Sequence, residues 1–345
     1  MVSAYRIDAN TGGLTSIGTF PTGNGGVAGN GPAAVAVDGT GSCVFVANFL
    51  SNNVSAYKVT PITGALTHVN GSPFPAGTGP LGVSVDPFTT DLVYVANALD
   101  NPGSVSAYTT TSSTCILTPV PGSPFSDPAL VSAPASVVVD QTGSFVYVAN
   151  EFSNSVSAFS INLNPGPRNN PPFGKLTAIG PPAAAGTCPI SVVAGSSGQN
   201  FIYVSNDGSN DVSAYTYNAG TGALTALPRV PAGNFPGLAA VSPGGGQFYV
   251  PNFGDNTVSA YSINGITGAL TEILPRVVAG NGPTSVALIH LVNVGDFAYV
   301  TNALANPSST VSGYSKNGTT GALTVLGPPF PVPAGSFAIF GSLTP

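Results

Sequence analysis

One tetrapeptide recurs along the whole chain, and its spacing restricts the fold more than any other feature. Val-Ser-Ala-Tyr, or a near copy, stands at 2–5, 54–57, 105–108, 156–159, 212–215, 258–261 and 311–314. Start-to-start spacings run from 46 to 56 residues. A unit of about 50 residues repeated along a chain is the signature of a radial or stacked array. Two or more unrelated domains would not carry one period through all 345 residues.

Aligned on the tetrapeptide, each unit holds four strand-sized segments. The first follows a Gly-Pro pair, as at 31–38 (GPAAVAVD), 79–86 (GPLGVSVD) and 282–288 (GPTSVAL). The second ends in Asn: VFVAN at 44–48, VYVAN at 93–97 and 146–150, IYVSN at 202–206, FYVPN at 248–252 and AYVTN at 298–302. Val-Ser-Ala-Tyr is the third, and Leu-Thr, preceded by Thr-Gly-Ala at 63–67, 221–225, 267–271 and 320–324, is the fourth. Short β-branched and aromatic runs bounded by turn formers read as strands. The Gly of the Thr-Gly pair supplies the positive φ that a tight strand connection demands. An Asn present in every copy reads as structural. Four short antiparallel strands per unit give an all-β, seven-bladed propeller forming one domain. The expected divisions are 1–30 (outer strands of a closing blade), 31–78, 79–132, 133–187, 188–234, 235–281 and 282–335 (six full blades), and 336–345 (inner strand of the closing blade). A stacked β-solenoid is the competing architecture.

The segments VFVAN, VYVAN, IYVSN, AYVTN, VSAY and TGALT resemble the YVTN-type propeller repeat and, more broadly, the seven-bladed lactonase-like propellers. That resemblance implies a ring of seven blades. It also implies relatives that hydrolyse sugar lactones or cyclise muconates, beside many surface and secreted proteins. Lactonase-like members would hold an acidic or phosphorylated substrate with Arg, His and Glu in the channel. The chain offers Arg6, Arg168, Arg229 and Arg276, with Glu151 and Glu272, and none of these maps onto a family position.

Charged residues are only 6% of the chain, net charge is −6, and the seven Lys and Arg are dispersed. Without a basic stripe to neutralise phosphates, nucleic acid is excluded as a partner. Apolar runs are strand-sized, too short for a membrane helix, and Met1 leads directly into a repeat strand, so no signal peptide is read. The three cysteines occupy different repeat positions, so they are expected as free thiols; a Cys115–Cys188 bridge is the one pairing considered. With two histidines and no Cys-x-x-Cys, neither a metal nor a cofactor is expected.

Strand types are unevenly represented: the second occurs six times and the others seven, counting 337–343 as an inner strand. The closing blade would therefore lack its second strand. Three arrangements follow: an incomplete sequence, an inner strand shifted outward, or a strand donated by another molecule, which for like molecules makes a polymer. The apolar residues facing that slot would be Val2, Ala4, Tyr5, Phe337, Ile339 and Phe340.

Candidates for chemistry are sparse. Asp38, Asp86 and Asp140 end the first strand of three successive blades and could ring a channel mouth, although capping the following turn accounts for them better. Later blades carry Gly195, Ser242 and Ile289 there. His68 reads as a rim residue, and His290 follows an inner strand; a Ser–His–acid arrangement would require His290 to find a carboxylate. Asn53, Asn70 and Asn317 are glycosylation sequons. The favoured reading is a non-enzymatic extracellular or cell-surface module, binding carbohydrate or protein or assembling with itself into a filament. The alternative is a lactonase-like hydrolase or cyclase with its site in the channel.

Overall fold

The structure, a computed structural model, describes residues 1–89, 91–126, 132–164, 172–196, 198–304 and 309–332. All regular structure among them is β. Six sheets each run through four antiparallel strands in sequence order. The first runs through Pro32–Val37, Cys43–Asn48, Asn53–Val59 and Leu66–His68, with the short Phe74–Pro75 also paired to the third. The fifth has Ala240–Val241, Gln247–Asn252, Thr257–Ile263 and Leu270–Val278. The sixth has Pro283–Leu291, Gly295–Asn302, Thr310–Lys316 and Leu323–Val325. A seventh, two-stranded sheet pairs Val2–Ile7 with Leu14–Phe20.

That pair lies between the last blade and the first. Tyr5, Ile7 and Leu14 pack on Ile289, Phe297 and Tyr299 of the sixth blade. Val2 and Phe20 pack on Val44, Val46 and Tyr57 of the first. The ring thus closes through the N-terminal strands, as a propeller requires and a solenoid does not. Val2, Ala4 and Tyr5 are half-buried, whereas Val54, Ala56 and Tyr57 at the same repeat positions are fully buried. Phe337, Ile339 and Phe340 lie outside the described residues.

Two sets of tyrosines join neighbouring blades. The tetrapeptide Tyr donates its hydroxyl backward: Tyr57 to Pro21 O, Tyr108 to Pro75 O, Tyr215 to Ala184 O, Tyr261 to Pro231 O and Tyr314 to Val278 O. The second-strand Tyr donates forward, to the carbonyl of the turn glycine in the next blade: Tyr147 to Gly222, Tyr203 to Gly268, Tyr249 to Gly321 and Tyr299 to Gly12. A buried hydroxyl left unpaired would cost about 1–3 kcal/mol, so each pairing fixes blade spacing. Gly222 has φ +73°, and a Cβ there would meet the Phe145 ring of the preceding blade. Backbone conformation and close approach both demand glycine.

The repeated Asn ties two strands of its own sheet together. It ends the second strand and donates Nδ2 across the sheet to hydroxyls of the third, as from Asn97 to Ser104 Oγ (2.9 Å) and Ser106 Oγ (3.0 Å). Left-handed geometry falls on the Asn four residues later in four of the units, Asn52, Asn154, Asn210 and Asn256.

The cysteines also depart from expectation. Cys43, opening the second strand of blade one, is disulfide-bonded to Cys115, in the turn after the third strand of blade two, 72 residues away. Cys188 is free. Different repeat positions obscured the pairing, because adjacent blades face one another with unlike elements in contact.

Candidate active site between the fifth and sixth blades

Inner strands pack closely around the axis. Val139 N–H donates to Ser84 Oγ, Val192 N–H to Ser136 Oγ and Ala239 N–H to Ser191 Oγ, each at 3.1 Å and each across two blades. These strands are built from Pro, Gly, Ser, Thr and aliphatic residues, and among the described ones His290 is the one titratable side chain.

Asp38, Asp86 and Asp140 lie at one end but turn into their own loops. Asp38 accepts from Ser42 N (2.7 Å), Cys43 N (2.9 Å) and Thr40 Oγ1 (2.6 Å). Asp86 accepts from Phe88 N and Thr89 Oγ1. Asp140 accepts from Thr142, Ser144 and Phe145, and from Tyr217 Oη of the next blade. All three are buried. With their lone pairs engaged they brace hairpins and do not come together.

His290 is not beyond the inner strand; it lies within it. In the first blade four residues, 39–42, separate the strand-ending Asp38 from Cys43, whereas in the sixth seven residues, 290–296, separate the equivalent Ile289 from Phe297. The longer hairpin continues the ladder outward and sets His290 directly opposite Asp296. His290 Nδ1 stands 2.6 Å from Asp296 Oδ1. Asp296 Oδ2 accepts from Lys316 Nζ at 2.7 Å. The same ammonium donates to Gln247 Oε1 of the fifth blade at 3.1 Å. Burial works to raise the Asp296 pKa, but hydrogen bonds and charge from Lys316 and His290 outweigh it and hold the carboxylate below its ordinary range.

Exposure is graded along this chain of contacts. Side-chain exposure is 3% for Lys316, 17% for Asp296 and 52% for His290. The supporting groups are covered while the imidazole reaches open space. These residues, with Ser242, Gln247, Gly244, Gly246 and Gly318, line a cleft of about 380 Å³. Ser242 is no nucleophile here: it is buried, its Oγ donates to Gln247 Oε1 and accepts from Gln247 N. The arrangement can take a proton from water.

Lys316 and Asp296 escaped the sequence reading, although a signal existed. The repeat position of Lys316 carries Val59, Thr110, Ile161, Tyr217 and Ile263 in the other full blades, so a lysine there is the one charged residue of that register.

The remaining candidates are dispersed. His68 stacks on Tyr57, ring centroids 4.4 Å apart, with Nε2 2.8 Å from Pro21 O. Arg229 pairs with Asp211, Arg276 with Glu272, and Arg6 donates to Ile62 O; Arg168 lies outside the described residues. Asn53 is buried and bonded to Asn48 and Ala28 O, while Asn70 and Asn317 are exposed. On the opposite face, Glu151 and Asp207 follow the second-strand Asn of adjacent blades. Burial raises both pKa values, and the Asp207 charge raises that of Glu151 further.

Comparison with known proteins gives this geometry a context. Residues 2–288 match the family model for lactonase, seven-bladed β-propeller. No curated protein matches the sequence. Similar solved structures include a candidate 6-phosphogluconolactonase from Bacteroides fragilis (TM-score 0.75, 20% identity, covering 96% of this chain and 91% of that one). Another is the periplasmic gluconolactonase of Pseudomonas aeruginosa (0.73, 19%, 96% and 92%). A third is a candidate 6-phosphogluconolactonase from Bacteroides uniformis (0.74, 17%, 96% and 92%). At these identities the structures establish the fold. The family match overturns the expectation of a non-enzymatic structural or filament-forming module, which rested on counting strands with residues 337–343 included, and those lie outside the described residues. This chain belongs to the lactonase family of seven-bladed β-propellers.

Proposed function

We propose that the protein hydrolyses lactones, using the His290–Asp296 pair to activate water in the cleft between the fifth and sixth blades. The observation that carries this reading is the 2.6 Å contact between His290 Nδ1 and Asp296 Oδ1, with Lys316 on the second carboxylate oxygen. Asp296 accepts a hydrogen bond from Nδ1–H, which leaves the lone pair on Nε2 facing the cleft. Water attacks the lactone carbonyl carbon as Nε2 takes its proton, and Asp296 stabilises the imidazolium. The tetrahedral intermediate then breaks the ring C–O bond, and the imidazolium returns a proton to the departing alkoxide. One water is consumed and one hydroxy acid forms. Lys316 holds Asp296 as a carboxylate in a fixed orientation.

The same reading assigns the protein to an oxidising, extracytoplasmic compartment. The Cys43–Cys115 disulfide supports this, since such bonds persist where thiols are not kept reduced, and one structural relative is periplasmic. The second-strand ends are read as YVTN-type repeats.

Hydrolysis of D-glucono-1,5-lactone and its 6-phosphate, followed by acid release above the spontaneous rate, tests the proposal. Wild-type turnover should fall about 10²–10⁴-fold in His290→Ala. Absence of wild-type turnover on both lactones, or full activity in His290→Ala, overturns it.

A further inference from the structure

The turn between the first and second strands of the fifth blade reads Ser-Pro-Gly-Gly-Gly-Gln, residues 242–247. Its fold needs one glycine. Gly245 has φ +70° and donates its N–H to Ser242 O, as Gly41 (+68°) does to Asp38 O and Gly143 (+68°) to Asp140 O in the first and third blades. Flanking that glycine, the first blade has Thr40 and Ser42, and the third has Thr142 and Ser144. The fifth blade has Gly244 and Gly246 instead.

Backbone conformation does not require these two glycines, since neither has positive φ. Crowding does not require them either: a Cβ at Gly244 or Gly246 would meet no atom within 4 Å. A glycine kept at such a place adds chain entropy to the unfolded state with no compensation in the fold. Both line the cleft, together with His290, Asp296 and Lys316. Among the described residues, neither Gly244 N–H nor Gly246 N–H has an acceptor.

We propose that Gly244 and Gly246 seat the substrate: the lactone ring lies against their bare backbone, and their N–H groups donate to its carbonyl oxygen as that oxygen gains charge. The inference rests on the lactonase reading and names the residues that decide which ring fits. Side chains at these positions would fill the space a flat five- or six-membered ring occupies, and would hold its carbonyl away from His290. Donors aimed at a developing oxyanion act most strongly where water is excluded, which close backbone contact secures.

The test is Gly244→Ala and Gly246→Ala in the full chain, with D-glucono-1,5-lactone as substrate and D-gluconate as a product probe. Both variants should keep the wild-type unfolding midpoint or exceed it, while kcat/KM falls about 10- to 100-fold. Gly245→Ala serves as the contrast: positive φ and Gln199 Oε1 at 2.8 Å make it lose stability. Gluconate should shift the amide resonances of Gly244 and Gly246 in the wild type. If both alanine variants retain kcat/KM within about twofold, the seat is wrong even though the lactonase reading stands. If the wild type hydrolyses no lactone but gluconate shifts those amides, the seat stands and the catalytic reading fails. Neither turnover nor shift overturns both.

Discussion

Lys316 Nζ lies 2.7 Å from Asp296 Oδ2, with 3% of the lysine side chain exposed. Replacing such a covered pair by apolar residues is often neutral for stability, whereas removing one partner strands the other charge. A charged residue at a register position that is uncharged in the other blades therefore points to the cleft it serves.

Lys316→Met alone should destabilise the fold by about 3 kcal/mol and reduce lactone turnover. Lys316→Met combined with Asp296→Leu should recover most of the stability and none of the turnover. Urea midpoints and initial rates on the same preparations check this; equal recovery of both would make the pair purely structural.

The depressed Asp296 pKa fixes the sign of an acid effect. Its folded pKa lies below the unfolded value of about 3.9. The ionised carboxylate thus contributes stability above that pH, lost as pH falls through the folded value. Asp296→Asn should be less stable than wild type at pH 7, and the difference should shrink steadily below about pH 4. Denaturant midpoints at several pH values measure it.

Glu151 behaves oppositely. Burial, then the neighbouring Asp207 charge, raises its pKa. Its ionisation therefore opposes folding once pH passes the ordinary glutamate range. Glu151→Gln should raise the melting temperature at pH 7 by about 1 °C, a gain that vanishes below about pH 4. Calorimetry at the two pH values decides.

Closing a loop of 72 residues, the Cys43–Cys115 bond should contribute about 2–4 kcal/mol. Thiol titration in denaturant should find one free thiol per chain before reduction and three after, and reductant should lower the melting temperature. Three free thiols at the outset would show the bond unformed.

Much of the ring was legible beforehand. The 46- to 56-residue period, the Gly-Pro openings and the Thr-Gly turns pointed to four-stranded blades, because strand propensity and turn chemistry are local properties repeated in every unit. The tetrapeptide was recognisable as a strand, but not the bond of its Tyr to the preceding blade. The function reading failed for a related reason: strand counting describes chain ends, and the ends say little about a cleft built in the fifth and sixth blades.

The sequence by itself determined the repeating sheet, since each blade is specified by residues within about fifty positions of one another. Only the tertiary structure decided the site. Gln247 and Lys316 are 69 residues apart, and Cys43 and Cys115 are 72. Such partners meet because neighbouring blades pack face to face, bringing different strands of different repeats into contact. Periodicity along one chain carries no record of that juxtaposition.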